Sequence, residues 1–307
     1  MKNNKYTLAV LVSLAAVAAI GCSAVNVPNP TIETREVRDN LGRTVKVPLQ
    51  IDRAISLAPS ITEMIFAIGA GEKLVGVTTY CNYPAETVAI EKIGDTQTPN
   101  IEKIIALRPQ IVFVSTASQL EAFMNTLNEQ GISVYVTNPK TLDEVLDNLN
   151  ELADIFGRRD HVSGLVVSLA GRASWVRHQA NYDADRMRIP AKDKSRVFVQ
   201  ISREPLFTIG RDSFLTEIVE SAGGISTTKD IATAYPKISK ETALALNPDA
   251  ILLSDSEDNR EPSEVFRNSP AVKNGRIYRI NADIISRPGP RLVDALEEIA
   301  RDLKSEN

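Results

Sequence analysis

The sequence predicts an α/β fold of two look-alike lobes. Each lobe is a mainly parallel sheet flanked by helices, and one long rigid helix joins them across a cleft. Three observations lead there. Short apolar strand patterns alternate with helical ones in two separate stretches of the chain. The stretch between them carries only helical spacing. Two segments also recur: PNIEKIIALRPQIVFVS (Pro99 to Ser115) returns as SKETALALNPDAILLS (Ser239 to Ser254), and SITEMIFAIGAG from Ser60 returns as SFLTEIVESAGG from Ser213. Laying Glu102 on Glu241 superposes Ala106 on Ala245, Leu107 on Leu246, Pro109 on Pro248 and Ser115 on Ser254. The second repeat brings Thr62-Glu63 onto Thr216-Glu217 and Gly69 onto Gly223.

The elements follow in chain order. TVKVPLQ alternates like a strand, and RAISLAPS reads as a short buried strand running into a loop. Ser60 and Glu63 have capping-box spacing, which predicts a helix starting at Ser60 and ending at Gly69. KLVGVT is a second strand, followed by the loop TYCNYP. Asn100 is the N-cap of the helix IEKIIAL, Pro109 stops it, and IVFVS is a strand. LEAFMNTLNEQ is a helix ended by Gly131, and ISVYVT is a fourth strand. From Thr141 to about Tyr182 two helices run in succession, and the second is the rod between lobes. After Pro190 the β–α rhythm restarts with RVFVQIS, then AILLS, RIYRIN and a last helix from Arg291 to Leu303. The organisation is a leader at 1–22, a tether at 23–34, a first lobe at 35–157, a linker helix at 158–189 and a second lobe at 190–307.

Composition narrows the function. The chain has 307 residues, 43% of them apolar and 24% charged, which suits a globular protein rather than a disordered one. A net charge of −4 gives no reason to expect nucleic acid as a partner. Lys2 and Lys5 precede an apolar run, Tyr6 to Ile20, that is shorter than the ~20 residues a spanning helix needs and reads as an export signal. It ends in Ala19-Ile20-Gly21-Cys22, which resembles the lipobox of bacterial lipoproteins, where the cysteine is acylated. With Cys22 lipidated, Cys81 has no partner for a disulfide and reads as a buried, inert thiol.

Catalytic constellations are weak. His161 and His178 both fall in the linker region, too far apart along a helix to share a metal. Neither a Walker-type phosphate loop nor a Gly-x-Ser-x-Gly elbow occurs. Trp175 lies on the linker helix and is read as packing.

The strings SLAPSITEMIFAIG, GVTTYCNYP, IGDTQTPNIEKIIALRPQIVFV and YPKISKETALALNPDAILLS resemble the substrate-binding proteins of bacterial ABC importers for vitamin B12, ferric siderophores and haem, and TTYCNYP and DTQTPNIE resemble the B12 branch best. The resemblance implies a non-enzymatic, lipid-anchored, monomeric receptor without a cofactor, carrying a corrinoid such as cobalamin to a two-fold symmetric permease with its ATPase. It implies that Glu102 and Glu241, one per lobe, dock onto that permease. Because loops at the C-terminal ends of strands line such clefts, the ligand-binding candidates are Tyr80, Asn82, Thr96, Gln97, Ser115, Arg203, Phe207, Tyr235, Asp283 and Arg287, with Cys81 and Thr116 beside them. Tyr80, Phe207 and Tyr235 would supply aromatic contact area, and Asp283 and Arg287 would bond to rim amides. B12-binding relatives tend to carry tryptophans where Thr96, Ser115 and Tyr235 stand. A haem or ferric-siderophore receptor is the alternative, with Tyr80 on iron and Arg203, Arg211 and Arg287 facing anionic oxygens. A chelatase-like enzyme is the rival from another class, and the absence of a usable histidine in the expected cleft counts against it.

Overall fold

A computed structural model describes residues 33–115, 120–186 and 194–304. The leader, the lipobox Cys22, most of the tether and Thr116 lie outside the described residues. The fold is α/β. A hairpin opens it: β1 (Thr34–Arg38) pairs antiparallel with β2 (Thr44–Pro48). The alternation in TVKVP is therefore a strand as expected, but strand structure begins at Thr34, where the tether was expected to end. Asn40 of the connecting turn donates to Glu151 at 3.2 Å, which docks the hairpin on a helix of the first lobe.

The first lobe contains β3 (Ala54–Ser56), α1 (Pro59–Ala67), β4 (Leu74–Val77), α2 (Ile101–Ala106), β5 (Ile111–Ser115), α3 (Leu120–Glu129), β6 (Ser133–Thr137) and α4 (Leu142–Ile155). The second contains β7 (Arg196–Gln200), α6 (Phe214–Ser221), β8 (Ile225–Ser226), α7 (Lys240–Leu246), β9 (Ala250–Asp255), α8 (Pro270–Lys273), β10 (Ile277–Asn281), α9 (Ala282–Ile285) and α10 (Leu292–Lys304). Between them runs α5 (Arg159–Arg186), 28 residues. Both sheets are four-stranded and parallel, ordered β4-β3-β5-β6 and β8-β7-β9-β10, so each places its strands in the sequence second, first, third, fourth. The recurrence read in the sequence is thus a repeated topology.

The strands are short apolar runs because both faces are covered, as parallel sheets require. Val112, Phe113 and Val114 are fully buried in β5, as are Ile251 and Leu253 in β9. One core runs through both lobes: Leu142, Val145, Leu149 and Leu152 of α4 and Leu292 and Leu296 of α10 belong to it, with Val162, Leu169, Ala173 and Val176 of α5 between. Each such side chain contributes roughly 1.5–3 kcal/mol by leaving water. Arg172 of α5 pairs with Asp294 and Glu297 of α10 at 2.6 and 2.7 Å, fixing the rod to the second lobe.

Two expectations are corrected. Helix α1 begins at Pro59 with no side-chain cap, so Ser60 and Glu63 form no capping box. The N-cap position is held by Ala58, whose side chain offers no acceptor, and Glu63 turns elsewhere, as described below. Trp175 does not pack: it is 64% exposed, because the inward stripe of α5 passes through Ala173 and Val176 and leaves the indole outside. His161 is exposed and His178 stacks on Tyr182 with ring centroids 6.1 Å apart. The thiol of Cys81 is buried within 3.2 Å of the Thr62 and Thr78 hydroxyls.

Candidate functional site

Parallel strands deliver their loops to one edge, and helices that follow them start there. The N-termini of α1 and α6 meet at such an edge, Ala58 to Ser60 from one lobe and Ser213 with Phe214 from the other, around a cavity of about 450 Å³. Of the ten ligand-binding candidates, Tyr80, Thr96, Ser115, Tyr235, Asp283 and Arg287 line it. Thr137 at the end of β6, Asn138, Pro139 and Lys140 after it, and Asp212, Ser213, Ala234, Ser286 and Pro288 from the second lobe also line it and were missed. The strand-end rule already pointed to Lys140, which closely follows ISVYVT.

The other four candidates are placed elsewhere. Asn82 is exposed and bonds to two wall residues, donating to Asp283 Oδ2 at 2.7 Å and accepting from Arg287 at 2.8 Å. Gln97 is exposed in a turn closed by Asp95, whose carboxyl accepts the Gln97 and Thr98 N–H groups and is held below the usual carboxylate range, chiefly by the Thr98 N–H. Arg203 reaches Glu264 at 3.3 Å instead of the cleft. Phe207 is engaged through its backbone, bridging Ser202 and Lys237. Arg211 donates to the Asp230 carbonyl at 3.1 Å.

Two tyrosines face the cavity from opposite lobes. Tyr80 is 59% exposed and Tyr235 43%. Burial pushes the Tyr235 phenol up, with a hydrogen bond to the Ser213 hydroxyl pulling the other way. The charges nearly cancel. Lys140 and Asp212 have no side-chain ion pair among the described residues, and Arg287 is committed: it donates to Glu63 at 3.1 Å, Asp283 at 2.6 Å and the Tyr80 carbonyl at 3.3 Å. Six hydroxyls, from Ser60, Thr96, Ser115, Thr137, Ser213 and Ser286, surround these groups.

Glu102 and Glu241 lie on α2 and α7, both exposed. Their surroundings are duplicated. Asn100 and Ser239 cap the helices, accepting from the N–H groups of Lys103 and Thr242 at 2.9 and 3.1 Å. At the other end Arg53 donates to the Leu107 carbonyl and Arg196 to the Leu246 carbonyl, at 2.5 and 2.8 Å. The residues that follow, Arg108 (φ 48°) and Asn247 (φ 42°), are left-handed, a conformation few non-glycine residues adopt, and each precedes a proline. Gln110 and Asp249 then accept the Arg53 and Arg196 backbone N–H, each at 3.0 Å. Each glutamate is thus held on a short helix capped by its own segment at the N-terminus and tied at the C-terminus to the arginine at the start of the first strand of its sheet. The Glu241 carboxyl is held below its usual range, chiefly by its own backbone N–H and then by the Ser239 hydroxyl.

This arrangement of duplicated parallel sheets, one connecting helix and a cleft walled from both sides is that of a two-lobed cleft receptor. The family profile described as "Periplasmic binding protein" matches residues 55–284, and the chain belongs to that family. It is similar to the vitamin B12-binding protein of Vibrio cholerae, 31% identical over 261 residues that make up 84% of this chain and 91% of that one. It is also similar to an uncharacterized ABC transporter substrate-binding lipoprotein of Bacillus subtilis, 29% identical over 87% of this chain and 84% of the relative. Among solved structures, the periplasmic vitamin B12 binding protein of Vibrio cholerae superposes with a TM-score of 0.70 at 29% identity, over 84% of this chain and 98% of that one. A periplasmic haem-binding protein from Roseiflexus has the same fold, with a TM-score of 0.70 at 23% identity over 82% and 98% of the two chains. These relatives are binding proteins by name, not enzymes.

Proposed function

We propose that this protein captures a corrinoid, with cobalamin as the reference ligand, and delivers it to a two-fold symmetric ABC permease with its ATPase. The observation that carries this reading is the near-neutral charge of a cleft walled by two opposed tyrosines and a rim of hydroxyls. A corrin is a broad, partly apolar ring edged with amides. Aromatic faces supply contact area and small polar groups bond its rim. Similarity to the vitamin B12-binding protein of Vibrio cholerae, in sequence and in solved structure, supports the choice.

A porphyrin with two carboxylates, or an anionic ferric siderophore, calls for surplus cations. The arginines that could supply them are engaged: Arg203 with Glu264, Arg211 with a carbonyl, and Arg287 with Glu63 and Asp283. The haem reading rests on Tyr80, whose exposed side chain is in position to offer a phenol to iron. Titrating the purified protein with cyanocobalamin, haemin and a ferric catecholate, while following melting temperature and visible absorbance, separates them. Tight saturation by cyanocobalamin alone supports the corrinoid; a Soret shift with haemin at equal or lower concentration defeats it.

Delivery uses the paired helices. Glu102 and Glu241 present one exposed carboxylate per lobe to arginines of the permease, and such contacts chiefly set encounter rate and salt dependence. The mature chain is a monomer held to the membrane through lipid on Cys22.

A further inference from the structure

The helix repeat contains a second pair of glutamates that the docking reading leaves unused. Glu63 in α1 and Glu217 in α6 occupy matching positions, Thr-Glu in each copy. Neither pairs within its own lobe alone. Glu63 accepts from Arg287 at 3.1 Å and from Arg291 at 2.9 and 2.5 Å, and its side chain is 3% exposed. Both arginines stand just before α10, the last helix of the second lobe. Hydrogen bonding to Glu63 is the leading cause that raises the Arg291 guanidinium above its usual range, and the same guanidinium lies 4.0 Å over the Tyr83 ring. Glu217 accepts from the Leu142 backbone N–H at 2.9 Å, the first residue of α4 and so of the last helix of the first lobe. It also accepts from Arg177 of α5 at 2.8 Å. Each lobe therefore sends a carboxylate from its first helix to the start of the last helix of the other.

We propose that Glu63 and Glu217 are reciprocal anchors that set the width of the cleft, and that Glu63 is also the positioning residue for the Arg287–Asp283 pair of its wall, to which Asn82 bonds. Both carboxylates sit within about one turn of the residues that begin the cavity, Ser60 and Ser213. Opening the lobes means withdrawing the desolvated Glu63 carboxylate from two guanidiniums, with no replacement partner unless water enters, and withdrawing Glu217, which keeps Arg177, from a helix N-terminus. The anchors are unequal. The Glu63 side chain is buried and takes charged donors; Glu217 is 30% exposed and takes two neutral donors, the Leu142 N–H and the Ser221 hydroxyl, beside Arg177. The Glu63 side is therefore the stiff one, and residual opening occurs on the Glu217 side. Through Arg287 the stiff anchor reaches the cavity directly, since that guanidinium also holds Asp283 and Asn82. The affinity arm of the test rests on the proposed function; the distance arm does not.

The test places spin labels by non-cysteine chemistry at exposed Glu129 and Lys273, one per lobe, in the full mature protein. Pulsed electron resonance then gives the interlobe distance distribution for the native pair and for Glu63→Gln, Glu217→Gln and the double variant. Glutamine keeps the shape and removes the charge. We expect a narrow native distribution, one about twice as wide and displaced outward in Glu63→Gln, a smaller change in Glu217→Gln, and the largest in the double variant. With cyanocobalamin as probe, Glu63→Gln weakens binding about tenfold and Glu217→Gln about threefold. Should Glu63→Gln fail to fold, Arg291→Gln and the half-exposed Glu217→Gln carry the same comparison. Unchanged distributions in folded variants overturn the anchors. Absence of cyanocobalamin binding in every form, native included, refutes the ligand reading and leaves the distances to decide the anchors.

Discussion

Replacing Tyr80 with alanine tests the cleft most sharply. A tyrosine offers about 200 Å² of surface when fully accessible, and Tyr80 exposes 59% of its own, so roughly 120 Å² faces the cleft and solvent. A flat ring lying across one face covers about half of that, or ~60 Å². At ~25 cal/mol per Å², its removal costs about 1.5 kcal/mol of binding, close to tenfold in Kd. The contact that ties this loop to the second lobe uses the Tyr80 carbonyl, not the phenol, so the substitution leaves the Arg287 bond in place. Isothermal titration of Tyr80→Ala with cyanocobalamin therefore gives a Kd about ten times weaker with a native melting temperature. Tyr80→Phe keeps the ring and leaves corrinoid affinity within about twofold. A porphyrin held by the phenolate behaves in the opposite way and is lost in both variants. A Tyr80→Ala protein that binds cyanocobalamin as tightly as the native one refutes the stacking argument.

Three further outcomes follow from the same geometry. Glu102→Ala and Glu241→Ala leave ligand affinity within about twofold but slow the encounter with the reconstituted permease severalfold, an effect that fades as salt rises toward a Debye length of ~3 Å at 1 M. Arg53→Met and Arg196→Met remove the bonds to the Leu107 and Leu246 carbonyls; each lowers stability by about 1 kcal/mol and speeds amide exchange in the adjoining short helix, read by hydrogen-exchange mass spectrometry. Gly210→Ala drives a Cβ to 2.1 Å from the Thr233 carbonyl and 2.6 Å from that of Ile231, displacing the loop that carries Tyr235; a stability loss of about 1–3 kcal/mol with weakened ligand binding is expected by thermal melting and titration.

What the sequence made legible follows from how local each signal is. The two sheets showed because buried parallel strands are short apolar runs broken by glycine and proline, as at Gly69, Gly131 and Pro109, and because the duplicated helix–proline–strand unit repeats residue by residue. Six of the ten ligand-binding candidates reached the cavity wall through one general rule about strand ends. The rule says which loops converge, not which side chains other residues engage. Arg203 is drawn off by Glu264 and Asn82 by Asp283, partners that lie far along the chain. Glu63 was misread for the same reason: Ser-x-x-Glu is a local pattern, but its arginines belong to the opposite lobe. Trp175 was expected to pack because large apolar residues usually do, and only the phase of the buried stripe along α5 shows that it does not.

The account stands on the cleft holding a near-neutral corrinoid. Native mass spectrometry of the protein purified from cells grown with cobalamin addresses this directly. One cobalamin per chain, with occupancy lowered in Tyr80→Ala as a roughly tenfold weaker Kd requires, is the predicted result. A porphyrin or an iron–siderophore mass on the chain, with cobalamin unable to displace it, contradicts it.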